Sequence, residues 1–295
     1  MNLPAGLTTR PLALADAQAV ADVTSTEQLA DVGETDTTVE DVLAEWQRPS
    51  YDILTSTVGV LEGGRLVAYG DLAFPEAAYT AVLPSHRGRG IGTALADWLE
   101  ALARSRGAAL LSTQVPAAGP AHRLLAARGY AERWTAWDLE LPEGAVIDAR
   151  PLPAGCTVRD ARPAEHPIVH RVVEDAFGEW RTPLGVEDFA ALVWERPGHE
   201  PWNLRVVEGP DGELLGAAHV FLSGDAGYVA RVATRHDQRG RGLGSAMLAD
   251  AFARAREHAA QRCYLSTDTR TGALSLYERV GMVVTSTWVN LATDL

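Results

Sequence analysis

The sequence predicts an α/β protein of the α+β type, with two tandem domains that each have a mixed, mostly antiparallel sheet covered by helices. The first observation is a glycine turn that occurs twice, as Arg-Gly-Arg-Gly-Ile-Gly at 87–92 and Arg-Gly-Arg-Gly-Leu-Gly at 239–244. The second is that the same order of strand and helix patterns surrounds both turns, offset by about 150 residues. The third is the length of 295 residues, which suffices for two ordinary domains. Gene duplication accounts for all three.

Hydrophobic periodicity and turn residues define the elements of the first half. Two strand-like runs flank Glu62-Gly63-Gly64 and predict a hairpin. Leu95, Leu99 and Leu102 recur at helical spacing after the glycine turn, and Gly107 ends that helix. The predicted elements are a strand at 9–12, a helix at 16–23, a hairpin at 57–60 and 66–74, a strand at 79–83, a helix to about 106, a strand at 109–113, a helix at 122–128 and a strand at 134–141.

The second half repeats this order after a segment rich in proline. Pro142, Pro151 and Pro153 indicate a linker, so the predicted domains are residues 1–142 and 156–295, joined by 143–155. The predicted elements are a strand at 157–159, a helical region at about 167–196, a hairpin at 204–207 and 214–222, a strand at 229–234, a helix to about 260, a strand at 263–267 and a helix at 273–279.

Composition excludes several classes of protein. The net charge of −13 argues against nucleic acid or an anionic membrane as the main partner and permits a cationic substrate. No apolar run reaches membrane-spanning length and the first twenty residues lack a signal pattern, so we expect a cytoplasmic protein. Cys156 and Cys263 are too few for a disulfide framework and show no metal-ligand spacing, so no metal is expected.

Carboxylates are the only charged residues between Asp22 and Glu45. Such a run usually forms a solvated helical face. The alternative is an acidic collar that attracts an amine.

The glycine turns are suited to an anion such as a pyrophosphate. Glycine leaves no Cβ between the backbone amides and a ligand, and the helix that follows presents unpaired N–H groups and its positive dipole end. Two better-known phosphate motifs fit poorly, because a P-loop needs lysine and this chain has none, and a dinucleotide fingerprint has a different glycine spacing. One such turn alone is also compatible with an ordinary strand-to-helix connection.

The chain resembles the Gcn5-related N-acetyltransferase (GNAT) superfamily as a tandem pair. The family's acyl-CoA turn, Gln/Arg-x-x-Gly-x-Gly/Ala, is matched by residues of both halves: Arg87, Gly90, Gly92, Arg239, Gly242 and Gly244. The second half also has Ala-Leu-Ser-Leu-Tyr-Glu-Arg-Val-Gly-Met at 273–282, similar to the family's A-x-x-L-Y-x-x-x-G-F ending. The tandem arrangement resembles that of mycothiol synthases.

This resemblance implies direct transfer of an acetyl group from acetyl-CoA to an amine of a small molecule or peptide, in the second half of the chain. The implied acetyl-CoA-binding residues are Val232, Ala233, Thr234, Arg239, Gly240, Arg241, Gly242, Leu243, Gly244, Ser245 and Arg270 in the second half, and Arg87, Gly88, Arg89, Gly90, Ile91, Gly92 and Thr93 in the first. Tyr277 is implied to protonate the departing thiolate, which suits a phenol because it is protonated at neutral pH. A tyrosine that only packs on the sheet is the alternative.

Departures from the family pattern define the open questions. Leu125 occupies the tyrosine position of the first half, so that half is expected to be non-catalytic, with or without bound CoA. Where the family often places a basic carboxylate, the second half has Tyr228 and the first has Glu76. His219 is therefore a candidate base, because its ordinary pKa suits the task, although a packed histidine is the more common case. The other candidates are Glu174, Asp175 and Glu179.

Two other functions compete with acetyl transfer. The first is a non-catalytic acyl-CoA sensor or partner-docking protein, suggested by the degenerate first half and the absence of an obvious base. The second is a different acyl-CoA reaction on the same fold.

Overall fold

A computed structural model describes residue 1 and residues 3–149 and 151–295. The described chain divides into two compact units. The first unit contains Met1–Ala136 and Ser286–Leu295, and the second contains Trp137–Thr285. The predicted boundaries, 1–142 and 156–295, differ from this division because each unit receives its last strand from the other half of the sequence.

The first unit contains every element predicted from residues 1–142 in the predicted order, together with others that were not predicted. Its elements are β1 (Leu7–Arg10), α1 (Ala17–Asp31), α2 (Val39–Trp46), α3 (Ile53–Ser56), β2 (Thr57–Glu62), β3 (Arg65–Phe74), β4 (Ala77–Val82), α4 (Ile91–Ser105), β5 (Leu110–Pro116), α5 (Pro120–Ala127), the first part of β6 (Ala131–Glu140) and most of β12 (Val283–Asp294). The helices α2 and α3 and the strand β12 were not predicted. A capping box between Thr38 and Asp41 begins α2, and Val42, Ala44 and Trp46 are buried.

The strand order of the first unit is β1-β2-β3-β4-β5-β12. Neighbouring strands are antiparallel except β4 and β5, which are parallel and pair only at Ala77 with Ser112 and Ala78 with Thr113. The remainder of β4, to Val82, has no partner on the β5 side among the described residues. A gap therefore opens in the sheet beside the end of β4.

The second unit repeats this architecture. Its elements are the last part of β6, β7 (Thr157–Asp160), α6 (His166–Phe177), α7 (Val186–Leu192), β8 (Leu204–Glu208), β9 (Leu214–Ser223), β10 (Ala226–Thr234), α8 (Leu243–Glu257), β11 (Arg262–Asp268) and α9 (Leu274–Arg279). The strand order is β6-β11-β10-β9-β8-β7. The pair β10 and β11 is parallel, and the pairs among β7, β8, β9 and β10 are antiparallel.

Terminal strands are exchanged between the two halves of the sequence. Residues 288–294 of β12 pair with 110–116 of β5 in the first unit. In the second unit the amide of Leu141, just after β6, donates to the Cys263 carbonyl oxygen at 2.9 Å. Each unit thus has the last strand of the other half where its own would be expected.

Helices cover both faces of the second unit's sheet. Val220 and Val229 pack in a buried cluster with Leu248 and Phe252 of α8. Because side chains alternate along a strand, His219 points to the opposite face, and its partner Arg231 lies over the Phe189 ring of α7 there. The core therefore has two layers.

Among the described residues, no helix has the length and apolar composition required to cross a membrane.

Candidate active site

The second glycine turn connects β10 to α8 and opens the start of that helix to a ligand. Gly240 and Gly242 have φ of 78° and 82°, which glycine adopts without the steric cost of a Cβ. Gly242 is the N-cap of α8 and provides no side-chain cap, so the first amides of the helix depend on another acceptor. Arg239 and Arg241 are exposed beside these amides. The turn is therefore built to receive an anion.

The gap in the sheet lies directly before this turn. Pairing between β10 and β11 stops at Val229 with Leu265, and the register of β10 shifts between Val229 and Arg231. The Arg235 amide donates to the Leu215 carbonyl oxygen of β9 at 3.0 Å. Since amides alternate in direction along a strand, those of Val232 and Thr234 face the gap. A ligand with amide and carbonyl groups that enters the gap can therefore form hydrogen bonds with this backbone.

Tyr277 lies on α9 beside the same gap. Its ring is half-buried and packs against the buried cluster that contains Leu265. Val232 of β10 packs against the same cluster. Burial raises the pKa of Tyr277 to about 12. The phenol therefore keeps its proton at neutral pH and is able to donate it to a group in the gap.

The first glycine turn has the same backbone but different charges. Gly88 and Gly90 have φ of 74° and 81°, and Gly90 is the N-cap of α4. Arg87 forms two hydrogen bonds with the Asp31 carboxylate, at 2.7 and 2.8 Å, and Arg89 donates to Glu62 at 2.9 Å. The cations of this turn are thus already paired with carboxylates of the protein.

A family model described as Acetyltransferase (GNAT) family matches residues 21–130 and 168–282. The chain belongs to the GNAT acetyltransferase family. It is an N-acetyltransferase with acetyl-CoA as co-substrate, and its architecture is that of a tandem GNAT protein, as the sequence predicted.

Three similar proteins span almost the whole chain. A mycothiol acetyltransferase of Salinispora tropica is 29% identical over 293 residues, which is 94% of this chain and 92% of the relative. A crystal structure of a GCN5-related N-acetyltransferase from Sphaerobacter thermophilus is 28% identical, with a TM-score of 0.77 over 99% of this chain and 97% of that one. A tandem GNAT protein from the clavulanic acid biosynthesis pathway has a TM-score of 0.71 at 18% identity, over 98% of each chain, and supports the fold alone.

The surroundings of His219 in the second unit argue against a role as the general base. The imidazole is 2% exposed, and burial, followed by the charges of Arg231 and Arg196, lowers its pKa well below the ordinary value. An Arg231 guanidinium nitrogen lies 3.3 Å from Nδ1. A guanidinium only donates, so Nδ1 accepts and the proton of the neutral ring lies on Nε2, which has no partner within the described chain. Neither ring nitrogen then has a free lone pair with which to accept a proton from the amine.

The other predicted candidates in this unit have different surroundings. Glu174 is buried and its carboxylate accepts from Arg181 and from the Leu184 amide. Asp175 and Glu179 are exposed. Arg270 is held by Asp268 at 2.5 Å and donates to the Trp180 carbonyl oxygen at 3.0 Å, so contact with a phosphate would require it to leave these partners.

Two carboxylates beside the first glycine turn, Glu27 and Asp31, have surroundings that the sequence analysis did not predict. Glu27 and Asp31 were assigned to a run expected to be solvated, but the side chain of Asp31 is only 7% exposed and both lie against Arg87. The sequence contained the signal, because Val20, Val23, Glu27 and Asp31 recur every three or four residues and so share one face of α1 with its buried residues.

Proposed function

We propose that the second unit transfers the acetyl group of acetyl-CoA directly to the primary amine of a small molecule. The observation that carries this proposal is the gap between β10 and β11, which ends at the glycine turn and has Tyr277 at its side. The turn amides and Arg239 would bind the pyrophosphate, and the pantetheine would lie in the gap.

The reaction follows from the groups around the gap. The amine nitrogen attacks the thioester carbonyl carbon, and the carbonyl oxygen gains negative charge that the Val232 amide stabilises. The carbon–sulfur bond then breaks, and Tyr277 gives its proton to the sulfur. The proton of the amine goes to solvent, since His219 is enclosed and its lone pair is engaged. We therefore expect kcat/KM to rise with pH as the acceptor loses its own proton.

The acceptor class rests on the charge of the protein and on its relatives. The net charge of −13 favours a cationic amine at long range. The Salinispora relative is named as a mycothiol acetyltransferase, so a desacetylated mycothiol is the first acceptor to test. A peptide amine and other small amines belong in the same panel, and the cytoplasmic location stays a prediction.

The test is release of free thiol from acetyl-CoA across a panel of primary amines, with product masses measured. We expect amine-dependent release, and Tyr277→Phe to lower kcat by about a hundredfold or more, the usual contribution of a general acid, with little change in acetyl-CoA binding. Tyr79→Phe, at an exposed tyrosine of the first unit, is the matched control. Full turnover in the Tyr277 variant would exclude the acid role. A product other than the acetamide would show that the proposed reaction is wrong.

A further inference from the structure

The first unit encloses a cavity of about 380 Å³ beside the end of β4. Its walls come from β4, β5, α4 and α5 and are mostly apolar, including Ile91, Leu99, Leu111 and Leu124. Leu125 also lines it, where the second unit has Tyr277. The volume and the apolar walls are those of a small-molecule site, but no proton donor for a thiolate lies at the tyrosine position.

The anion-binding features of this cavity are occupied by the protein itself. Arg87 is paired with Asp31, and both Arg89 and His86 contact Glu62. Three carboxylates, with Glu27 included, thus contact the two guanidinium groups of this turn, and of these groups Glu27 and Arg87 line the cavity. In the second unit, by contrast, Arg239 forms no ion pair within the part of the chain that the structure describes. A pyrophosphate entering the first cavity would meet unfavourable charge.

Glu27 also accepts a hydrogen bond from a backbone amide that faces the gap. Its Oε1 accepts from the Val82 amide at 3.1 Å and lies 3.5 Å from an Arg87 nitrogen. Val82 precedes the turn arginine by five residues, as Thr234 does in the second unit. Oε2 makes no hydrogen bond to any described residue, and Glu27 lines the cavity. Burial raises the pKa of Glu27 to about 7 despite these two donors, so the carboxylate is under-compensated.

We propose that the cavity of the first unit binds an organic ammonium ion with an apolar body, whose charged nitrogen contacts the Glu27 carboxylate. An ammonium group donates to the free oxygen and neutralises the buried charge, and the apolar body fills the remaining volume. The cavity then serves as an amine site distinct from the acetyl-CoA gap of the second unit. This inference does not depend on the reaction proposed above.

The experiment compares two probes on the full chain by calorimetric titration. N,N-Dimethylphenethylamine is protonated at about pH 8, so its one N–H can donate to Glu27, but as a tertiary amine it cannot form a stable amide; methyl 2-phenylethyl ether is its neutral counterpart. At about pH 8 we expect the amine to bind at least about tenfold more tightly than the ether, the usual strength of a hydrogen bond to a charged group. Glu27→Gln should remove this preference and keep the ether affinity, whereas Glu132→Gln, at an exposed carboxylate of β6, should change neither.

A pH series on the wild-type protein provides a second test that needs no variant. The ionisable groups around Glu27 are Asp31 of α1, His86 and Arg87 of the turn, Tyr69 of β3 and Tyr130 of the cavity wall. A proton on Glu27 competes with the ammonium group, so the preference should shrink between about pH 8 and pH 5. Equal affinity for both probes at pH 8, or an unchanged preference in Glu27→Gln, would overturn the proposal.

Discussion

Replacing Glu27 by glutamine should stabilise the first unit, and only at neutral to high pH. The pKa of this carboxyl is raised from 4.5 to about 7 in the folded protein, mainly by burial. Between these values the folded state binds more protons than the unfolded state, so the free energy of unfolding falls as the pH rises from about 4.5 to about 7. Above that range Glu27 is fully ionised, and its destabilising effect on the free energy of unfolding is complete.

The size of this effect follows from the shift. A shift of one pKa unit corresponds to 1.36 kcal/mol, so the ionised carboxylate costs about 3 kcal/mol above pH 7. Glutamine has no charge, and its amide oxygen still accepts from the Val82 amide. Arg87 retains Asp31, to which it makes its two short hydrogen bonds. Glu27→Gln should therefore match the wild type near pH 5 and exceed it by up to about 3 kcal/mol near pH 8.

Hydrogen exchange is the suitable assay, because it reports on the first unit separately from the second. Peptides that cover α1 and β4 give the free energy of opening around Glu27 at each pH. Urea unfolding of the same samples follows the whole chain. Glu132→Gln, at an exposed side chain of β6, should show no pH-dependent difference. A constant difference between Glu27→Gln and the wild type from pH 5 to pH 8, or a less stable variant at pH 8, would refute the reasoning.

Two other substitutions test the second unit. Arg239→Gln removes an exposed guanidinium without an ion pair in the described chain, so we expect KM for acetyl-CoA to rise about tenfold with little change in kcat. Arg254→Gln near the far end of α8 is the control, and an equal KM in both variants would contradict the assignment. His219→Gln should change kcat less than about threefold and leave the pH profile unaltered, whereas a loss of about a hundredfold with a changed profile would show that His219 is the base.

The sequence predicted what depends on local patterns. The glycine turns were identified from their repeated motif, and this signal is local because Gly90 and Gly242 begin helices in a left-handed conformation that other residues adopt at a steric cost. The hairpins were identified because β-branched runs alternate around turn residues, and the observed strands extend only a few residues beyond the prediction. In these cases sequence neighbours are also structural neighbours.

The exchange of terminal strands could not be predicted in the same way. A strand pattern specifies which face of a sheet a residue occupies, and it does not specify which of two similar edges the strand joins. The pairing of Leu291 with Thr113 links positions 178 residues apart, that is 291 − 113, and no local signal encodes it. The buried position of Glu27 was missed for a different reason, since its charge suggested solvent while its helical spacing with Val20 and Val23 indicated the core.

The two units have the same backbone architecture but different side chains around the gap. Both keep the gap beside a parallel strand pair and the glycine turn, because these follow from backbone geometry. The side chains around them differ at two points that decide which ligand is favoured. Tyr277 and Arg239, which has no ion pair among the described residues, suit a thioester with a pyrophosphate, whereas Leu125 and Glu27 provide an apolar wall and a buried negative charge. The two proposals thus assign the same cleft geometry to an anionic acyl donor in one unit and to a cation in the other.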